Sequence, residues 1–177
     1  VTLLGHTVFT DEGGADADAY ACARRGIGAV CQNPEDQIVT TVTADDVAFG
    51  PENLDVPANM IGARVHASLS CVDMLTAWGA DPTHMSGGEQ QRIAIAGMLA
   101  IHSRLLVLDE PTAMLDPQAR AEVLALLDRI QASGTTLVIV SHLPEELRHA
   151  DRIVHIEHGR ITGEDCAQHM PQHDHHS

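Results

Sequence analysis

The chain has 177 residues, of which 44% are hydrophobic and 2% aromatic, and its formal net charge at pH 7 is −15. That length suffices for one domain with its own core, built mainly from Leu, Ile, Val, Ala and Met side chains. The negative charge argues against general nucleic-acid binding, because neutralising backbone phosphates requires a basic surface.

The N-terminal third begins with short elements. Residues 1–9 predict strand, turn and strand, residues 10–23 a loop leading into a short helix, and Ile27–Cys31 a short strand before the turn-forming segment NPEDQ. The chain starts at Val1, inside the first predicted strand, which suggests that the true start of the protein is missing. Its four cysteines form no CxxC pair, which favours a reducing cytosolic compartment.

Two helices are predicted next. Thr43, with Asp46 three residues later, resembles a helix start, and Gly50 with Pro51 is expected to end that helix. Residues 58–80 predict an amphipathic helix that faces the core. Its apolar stripe consists of Ile61, Val65, Leu69, Val72 and Leu75 or Trp78.

The central segments read as helix, strand and helix. A helix follows Ser86, and the continuous apolar run at 104–109 is typical of a strand buried on both faces. Asp116 as N-cap and Pro117 at the first helical position begin a long helix, which Gly134 closes.

The C-terminal segments complete the pattern. Residues 135–142 predict a second buried strand, residues 144–150 a short helix, and residues 152–162 a β-hairpin that turns at His158–Gly159. Buried apolar strands that alternate with amphipathic helices indicate an α/β fold with a mainly parallel sheet. No apolar run approaches the ~20 residues that a membrane-spanning helix needs.

Four polar residues follow the ends of predicted strands: Gln32, Asp109, Glu110 and His142. Parallel sheets bind ligands at the carboxyl ends of their strands, so these residues are candidates for one site. Asp109 could hold Mg²⁺ through water, or simply cap the next turn, and Glu110 could accept a proton from an attacking water. Gln32 could coordinate the same ion or orient water, and His142 could hydrogen-bond a terminal phosphate.

The segment SGGE at 86–89 has two interpretations. Ser86 followed by Glu89 is a capping box, which needs no ligand. Gly87 and Gly88, however, each cost about 1 kcal/mol relative to alanine in a helix. That cost favours a backbone which a phosphate group approaches closely.

In this order, the segments resemble the nucleotide-binding domain of ABC transporters over roughly residues 26–163. MSGGEQQRIAIAGMLA is similar to the family signature, with Met85 for the usual leucine and Glu89 for the usual glutamine. LLVLDEPTAMLDP is similar to the Walker B strand and D-loop, VSH to the switch histidine, and VCQNP to the Q-loop. Residues 32–57 look most like the ATPase subunits of energy-coupling factor importers, which take up vitamins or cobalt and nickel ions.

The resemblance implies a P-loop NTPase-like fold with a helical signature subdomain at about residues 44–100, and an ATPase that uses ATP and Mg²⁺. Glu110 would be the catalytic carboxylate, Asp109 and Gln32 would handle Mg²⁺, and His142 would sense the terminal phosphate. Further nucleotide contacts would come from the signature and the D-loop, at Ser86, Gly87, Gly88, Glu89 and Asp116.

The resemblance also implies partners. A second ABC ATPase subunit, identical or different, would pair head to tail, so that each signature faces the partner's ATP. A membrane-embedded coupling subunit would dock near residues 32–57, and a separate component would bind the substrate. The chain would then lie peripherally at the cytoplasmic face of a bacterial or archaeal membrane.

The family's P-loop, GxxxxGK[ST], is absent, and all ten basic residues are arginines. Either residues 1–163 are a partial domain that lacks an N-terminal segment, or the P-loop was lost naturally. Intact Glu110 and His142 favour the first explanation. We therefore expect weak or no ATP hydrolysis by the 177-residue chain alone. The alternative function is a non-catalytic regulatory subunit that lends its signature to a partner's ATP.

Residues 164–177 form a histidine-rich tail that contains His169, His173, His175 and His176. We expect a disordered polar terminus. A metal-binding tail is the alternative, attractive if the transported species is cobalt or nickel. No spacing in the tail defines a fixed coordination site.

Overall fold

The computed structural model describes residues 1–10, 13–148 and 150–166. Its strands are β1 (Thr2–Leu3), β2 (His6–Thr7), β3 (Phe9–Thr10), β4 (Gly14–Ala15), β5 (Ile27–Val30), β6 (Leu105–Asp109), β7 (Thr136–Val140), β8 (Arg152–Glu157) and β9 (Arg160–Cys166). Its helices are α1 (Ala17–Arg24), α2 (Thr43–Asn53), α3 (Ala58–Cys71), α4 (Gly87–Ala100), α5 (Pro117–Ala132) and α6 (Pro144–Leu147). These elements form two compact units, one of residues 1–140 and one that begins at Ser141.

The first unit contains a parallel sheet in the order β5–β6–β7. The central strand β6 pairs with both neighbours, so that Val107 lies opposite Ala29 on one side and Val138 on the other. Leu106 and Leu108 are fully buried, as the apolar run of this strand predicts. The predicted parallel sheet is therefore confirmed, and its three carboxyl ends lie at one edge.

Strand β7 was expected to be buried on both faces, and that prediction is wrong for the first unit. Leu137 and Ile139 pack against the core. Val138 and Val140, on the opposite face, are 45% and 55% exposed. An apolar run indicates that both faces of a strand can be buried. It does not show whether the same unit contains residues that cover both faces.

Helix α2 begins at Thr43 as predicted, but without the expected capping pair. The Thr43 hydroxyl donates to the Ala80 carbonyl at 2.9 Å, and Asp46 Oδ1 accepts from the backbone N–H of Val39 at 2.7 Å. The helix also continues to Asn53 through the residues that were expected to end it. Pro51 removes the hydrogen bond of its own N–H. The N–H of Leu54 still donates to the carbonyls of Gly50 and Pro51, so the last turn of the helix is closed.

Helix α3 ends at Cys71, well before the predicted end at residue 80. Asp73 adopts a left-handed φ of 59°, and the N–H of Met74 donates to the Leu69 carbonyl at 2.8 Å. These features form a Schellman motif, which terminates the helix. The predicted stripe still packs inward, because Leu75 meets the core from a short 3₁₀ turn, whereas Trp78 remains 40% exposed.

Helix α4 is the centre of the first unit. It contacts α2, α3, α5 and β5, and four consecutive residues, Ile93 to Ala96, are buried. A helix that is apolar on all sides needs neighbours on all sides. Its position in the core therefore fixes the orientation of its N-terminal residues.

The remaining sequence predictions for α5 and the hairpin are confirmed. Asp116 Oδ1 caps α5 by accepting from Gln118 N–H at 2.9 Å and Ala119 N–H at 3.0 Å. In the second unit, β8 and β9 pair antiparallel around His158 and Gly159, whose φ angles of 50° and 74° suit a two-residue hairpin turn.

Strand β9 extends to Cys166, three residues into the predicted histidine-rich tail. Arg152 and His155 of β8 contact Glu164 and Asp165 of β9, at 2.6 Å and 2.9 Å. The remaining tail, 167–177, lies outside the described residues, and with it the predicted disorder and metal binding. The domain boundaries expected at 163 and at about 44–100 stay predictions. None of the described helices combines the length and hydropathy needed to cross a bilayer.

Truncation of a core residue on α3 tests the packing. Leu69 is fully buried, so Leu69→Ala is expected to lower the free energy of unfolding by about 2–5 kcal/mol. Met60, on the same helix, is 45% exposed, and Met60→Ala should cost about 0.5 kcal/mol or less. Urea unfolding followed by circular dichroism measures both, and equal losses would contradict this core assignment.

Candidate functional site

Two of the predicted site residues meet at the carboxyl edge of the sheet. Gln32 lies two residues beyond β5, and Glu110 lies directly after β6. The Gln32 side-chain nitrogen Nε2 donates to Glu110 Oε2 at 3.0 Å, across 78 positions of sequence. Asp109 is the last residue of β6 and is exposed at the same edge. The parallel register of β5 and β6 brings Gln32 to Glu110, which follows Asp109 directly in the chain.

The backbone of Glu110 takes an unusual conformation. Its φ is 45°, in the left-handed region that non-glycine residues rarely adopt, and its N–H donates to the Val140 carbonyl at 2.8 Å. The turn therefore begins while the chain is still hydrogen-bonded to β7. Such strain persists where the surrounding structure imposes it, which is frequent at functional sites. Here it sets the direction in which the Glu110 carboxylate leaves the sheet.

The donor atoms at this edge suit Mg²⁺. This ion binds oxygen and usually takes only one or two protein carboxylates, with water and substrate phosphates as its other ligands. Asp109 offers a carboxylate, and Gln32, whose nitrogen donates to Glu110, has its oxygen Oε1 available as a ligand. The described ranges contain no group of three or more His, Cys, Asp or Glu side chains that could hold a metal alone. An Mg²⁺ ion here would take its remaining ligands from water and phosphate oxygens.

His142 belongs to the second unit, which starts at Ser141. Its side chain is exposed, and the neighbouring Leu143 N–H donates to the Ser141 hydroxyl at 2.9 Å. It follows β7 by two residues, as the sequence indicates. Its part in the site stays a prediction.

At the start of helix α4, Ser86 and Glu89 form the capping box, which is the interpretation that needs no ligand. Glu89 Oε2 accepts from the Ser86 N–H at 2.9 Å and from the Ser86 hydroxyl at 2.6 Å, while the Glu89 N–H donates to Ser86 Oγ at 3.4 Å. The hydrogen bonds from Ser86, first from its side chain and then from its backbone, lower the pKa of Glu89. Glu89 therefore carries its negative charge at neutral pH.

The two glycines of the signature, Gly87 and Gly88, differ in whether packing requires a residue without a side chain. A Cβ on Gly88 would lie 2.8 Å from the Cβ of Ala119, so glycine at 88 lets α4 and α5 approach closely. A Cβ on Gly87 would lie at an ordinary 3.5 Å from Leu115. Gly87 is exposed and Gly88 is buried. The sequence argument for phosphate approach therefore applies to Gly87, while packing accounts for Gly88.

A cleft of about 340 Å³ lies beside these segments. Gln32, Glu35 and Asp36 line one part of it, and Gly87 and Gln91 another. Sequence reasoning missed Gln91, which is 1% exposed and whose side-chain nitrogen has no hydrogen-bond partner among the described residues. The sequence held no clear signal for Gln91, because Glu89, Gln90 and Arg92 make this part of α4 polar as a whole.

The family follows from a comparison with known proteins. A profile described as ABC transporter matches residues 4–113, which is more than half of the chain. The chain belongs to this family. A profile of an AAA domain also matches, over residues 79–148, which include the signature and the end of β6.

Relatives with curated names agree with this family. The chain is 61% identical, over 92% of its length, to a Bifidobacterium longum protein named as an ABC transporter ATP-binding protein, and covers 21% of that protein. It is 49% identical, over 78% of its length, to the energy-coupling factor transporter ATP-binding protein EcfA1 of Symbiobacterium thermophilum, and covers 48% of it. The chain thus spans about half or less of these relatives.

A solved structure confirms the fold. CbiO1 from Clostridium perfringens, described as part of the ABC transporter complex cbiONQ, superposes with a TM-score of 0.80 at 30% identity. The match covers 86% of this chain and 62% of that one. The predicted α/β fold of an ABC ATPase domain, similar to the energy-coupling factor type, is therefore confirmed.

Adding a methyl group at Gly88 tests the contact between α4 and α5. Gly88→Ala is expected to lower the free energy of unfolding by about 1–3 kcal/mol, because its Cβ would overlap Ala119. Gly97→Ala is the matched control on the same helix. A Cβ there meets nothing within 4 Å, so it should raise stability by about 0.5–1 kcal/mol through helix propensity.

A second substitution at Ala119 distinguishes steric overlap between residues 88 and 119 from other effects of Gly88→Ala. Ala119→Gly removes the atom that the new Cβ would meet, so the double variant should be more stable than the sum of the single changes predicts. Chemical unfolding of the four proteins measures this coupling. Additive changes would show that Ala119 does not restrict residue 88.

Proposed function

We propose that the whole protein binds and hydrolyses ATP and thereby powers an importer of the energy-coupling factor type. The observation that carries the proposal is the Gln32–Glu110 contact of 3.0 Å beside Asp109, at the carboxyl edge of the sheet of an ABC-family chain. The similarity to EcfA1 supports the importer type.

In the proposed reaction, Glu110 acts as the general base. Its carboxylate is half-buried, so water can reach it, and Gln32 holds one of its oxygens in a defined direction. A water that donates to Glu110 becomes a better nucleophile towards the terminal phosphate, because the carboxylate can accept its proton. Gln32 limits the directions from which that water can approach.

Mg²⁺, when bound, supplies charge neutralisation between the phosphate oxygens. Asp109, with the oxygen of Gln32, would hold the ion at the sheet edge, while His142 would donate a hydrogen bond to the terminal phosphate. Asp109 reaches that position because it is the last residue of β6. These roles are proposals that rest on the placement of Asp109 and Gln32 and on the family resemblance.

The signature segment serves a second nucleotide in this proposal. The backbone N–H groups at the start of α4 form a positive helix end, which suits a phosphate bound by a partner ATPase subunit. Ser86, Gly87 and Gly88 would contact that phosphate, and Glu89 and Asp116 would lie beside it. This arrangement requires a head-to-tail dimer, homomeric or heteromeric.

Replacement of the proposed base tests the catalytic assignment. In the whole protein with its partner subunits, Glu110→Gln should lower the ATP turnover number by about 10²–10⁴-fold, because the amide cannot accept the proton. ATP affinity should remain within about two-fold, since the amide keeps the size of the side chain. Turnover is measured by phosphate release and affinity by equilibrium binding.

Glu122→Gln, on the exposed face of α5, is the control of equal charge change and should leave turnover intact. Unchanged turnover in Glu110→Gln would reject Glu110 as the base. If the protein without substitutions binds ATP but shows no turnover, the regulatory alternative, in which the chain lends its signature to a partner's ATP, is favoured.

The segment 32–57 is the proposed docking surface for a membrane-embedded coupling subunit. Val39 and Phe49 are 57% and 48% exposed, so both apolar side chains are accessible to a partner. Glu35 and Asp36 add negative charge at the neighbouring cleft. A partner with apolar and basic side chains fits this surface. The protein would then lie peripherally at the cytoplasmic face of the membrane.

Polar substitutions test this surface. Val39→Ser combined with Phe49→Ser should reduce the recovery of the membrane subunit in co-purification by about five-fold or more, as expected for the loss of apolar contact area. Met60→Ser, 45% exposed on α3, is the control and should leave recovery unchanged. Equal recovery of all three proteins would place the membrane contact elsewhere.

The transported substrate follows from the proposed importer type rather than from this site. Vitamins or cobalt and nickel ions are the proposed classes. A separate substrate-binding component would select among them, since the described site holds groups for phosphate and Mg²⁺.

A further inference from the structure

At the start of α4, Ser86 donates to Glu89 two hydrogen bonds that a bound phosphate would otherwise accept. A serine hydroxyl has one proton, and here it is donated to Glu89 Oε2 at 2.6 Å. The Ser86 N–H is donated to the same oxygen at 2.9 Å. Two donors at the proposed phosphate contact are therefore already used inside the chain.

Charge strengthens this competition. Glu89 brings a carboxylate to the positive end of α4, where an approaching phosphate would also be stabilised. Its pKa is lowered by the Ser86 hydrogen bonds, so the carboxylate stays ionised at neutral pH. Arg92, on the same helix, lies 3.7 Å from Glu122 of α5, and its charge makes a smaller contribution to lowering the pKa of Glu89. The partner's phosphate would therefore approach a helix end that already carries an anion.

We propose that Glu89 is a positioning residue that holds the signature in a self-capped state, and that a phosphate of the partner's nucleotide binds only when the Ser86 hydroxyl turns from Glu89 to it. The inference rests on the proposed function. Glutamine, usual at this position in the family, would leave the serine with a neutral and weaker acceptor. Glu89 would thus raise the ATP concentration at which the two ATPase subunits close on each other.

The expected size follows from hydrogen-bond chemistry. Hydrogen bonds to charged acceptors are roughly twice as strong as neutral ones, which corresponds to about a five-fold difference in the binding equilibrium. Glu89→Gln should therefore lower the ATP concentration for half-maximal dimerisation by about five-fold. Glu89→Ala, which offers Ser86 no acceptor, should shift it in the same direction.

The experiment uses the whole protein, with its partner ATPase if the assembly is heterodimeric, in the Glu110→Gln background so that ATP persists. Dimerisation is followed by analytical ultracentrifugation over a range of ATP and Mg²⁺ concentrations. Ser86→Ala is combined with each state of residue 89. It should change the midpoint less than two-fold while Glu89 is present, because the hydroxyl then exchanges one charged acceptor for another. The change should be clearly larger in the Glu89→Gln background, where the hydroxyl exchanges a neutral acceptor for the charged phosphate.

Glu157→Gln removes the same charge at an exposed position of β8, and its midpoint should equal that of the parent protein. Thermal unfolding by circular dichroism identifies variants that lose the fold, and Glu89→Ala then replaces Glu89→Gln. Equal midpoints for all residue-89 variants, with additive Ser86→Ala effects, would overturn the inference and leave Glu89 as a helix cap. Absence of ATP-dependent dimerisation in every variant would instead contradict the proposed function.

Discussion

The packing of helix α4 is the constraint on which the rest of the structure depends. The same fourteen-residue helix supplies the middle of the hydrophobic core and, at its N-terminus, the signature segment. Ile93 and Ile95 are fully buried among residues of α2, α3, α5 and β6. Ser86 and Gly87 therefore have little freedom to move independently of the core. If this helix end binds phosphate as proposed, a fixed backbone would lower the entropic cost of binding.

Close packing between helices also explains part of the SGG sequence at residues 86–88. Its second glycine allows α5 to approach, because a side chain at Gly88 would meet Ala119. That approach brings the start of α5, with its cap Asp116, near the start of α4. Asp116 has a complete structural role as a helix cap, and any contact with nucleotide would come in addition to it. The signature and the D-loop are thus coupled by one helix–helix contact.

The second constraint is the parallel register of β5, β6 and β7. It places the residues after β5 and β6 at one edge, where Gln32 and Glu110 are in hydrogen-bond contact. The left-handed backbone of Glu110 then directs its carboxylate away from the strand axis. Strand geometry brings the residues together, and the turn determines which way the carboxylate points.

The sequence by itself determined the α/β class, the parallel sheet and most elements, because apolar periodicity and capping residues are local signals. The resemblance of its motif segments indicated the family. The sequence also indicated Gln32 and Glu110 as site residues, since polar residues just after apolar strands meet at one edge. Only the tertiary structure decided where α3 ends, since its Schellman motif depends on the conformation of Asp73. It also decided that β7 is exposed on one face and that Gly88 serves packing. The exposure of β7 and the role of Gly88 depend on distances between segments, which residue patterns along one chain do not contain.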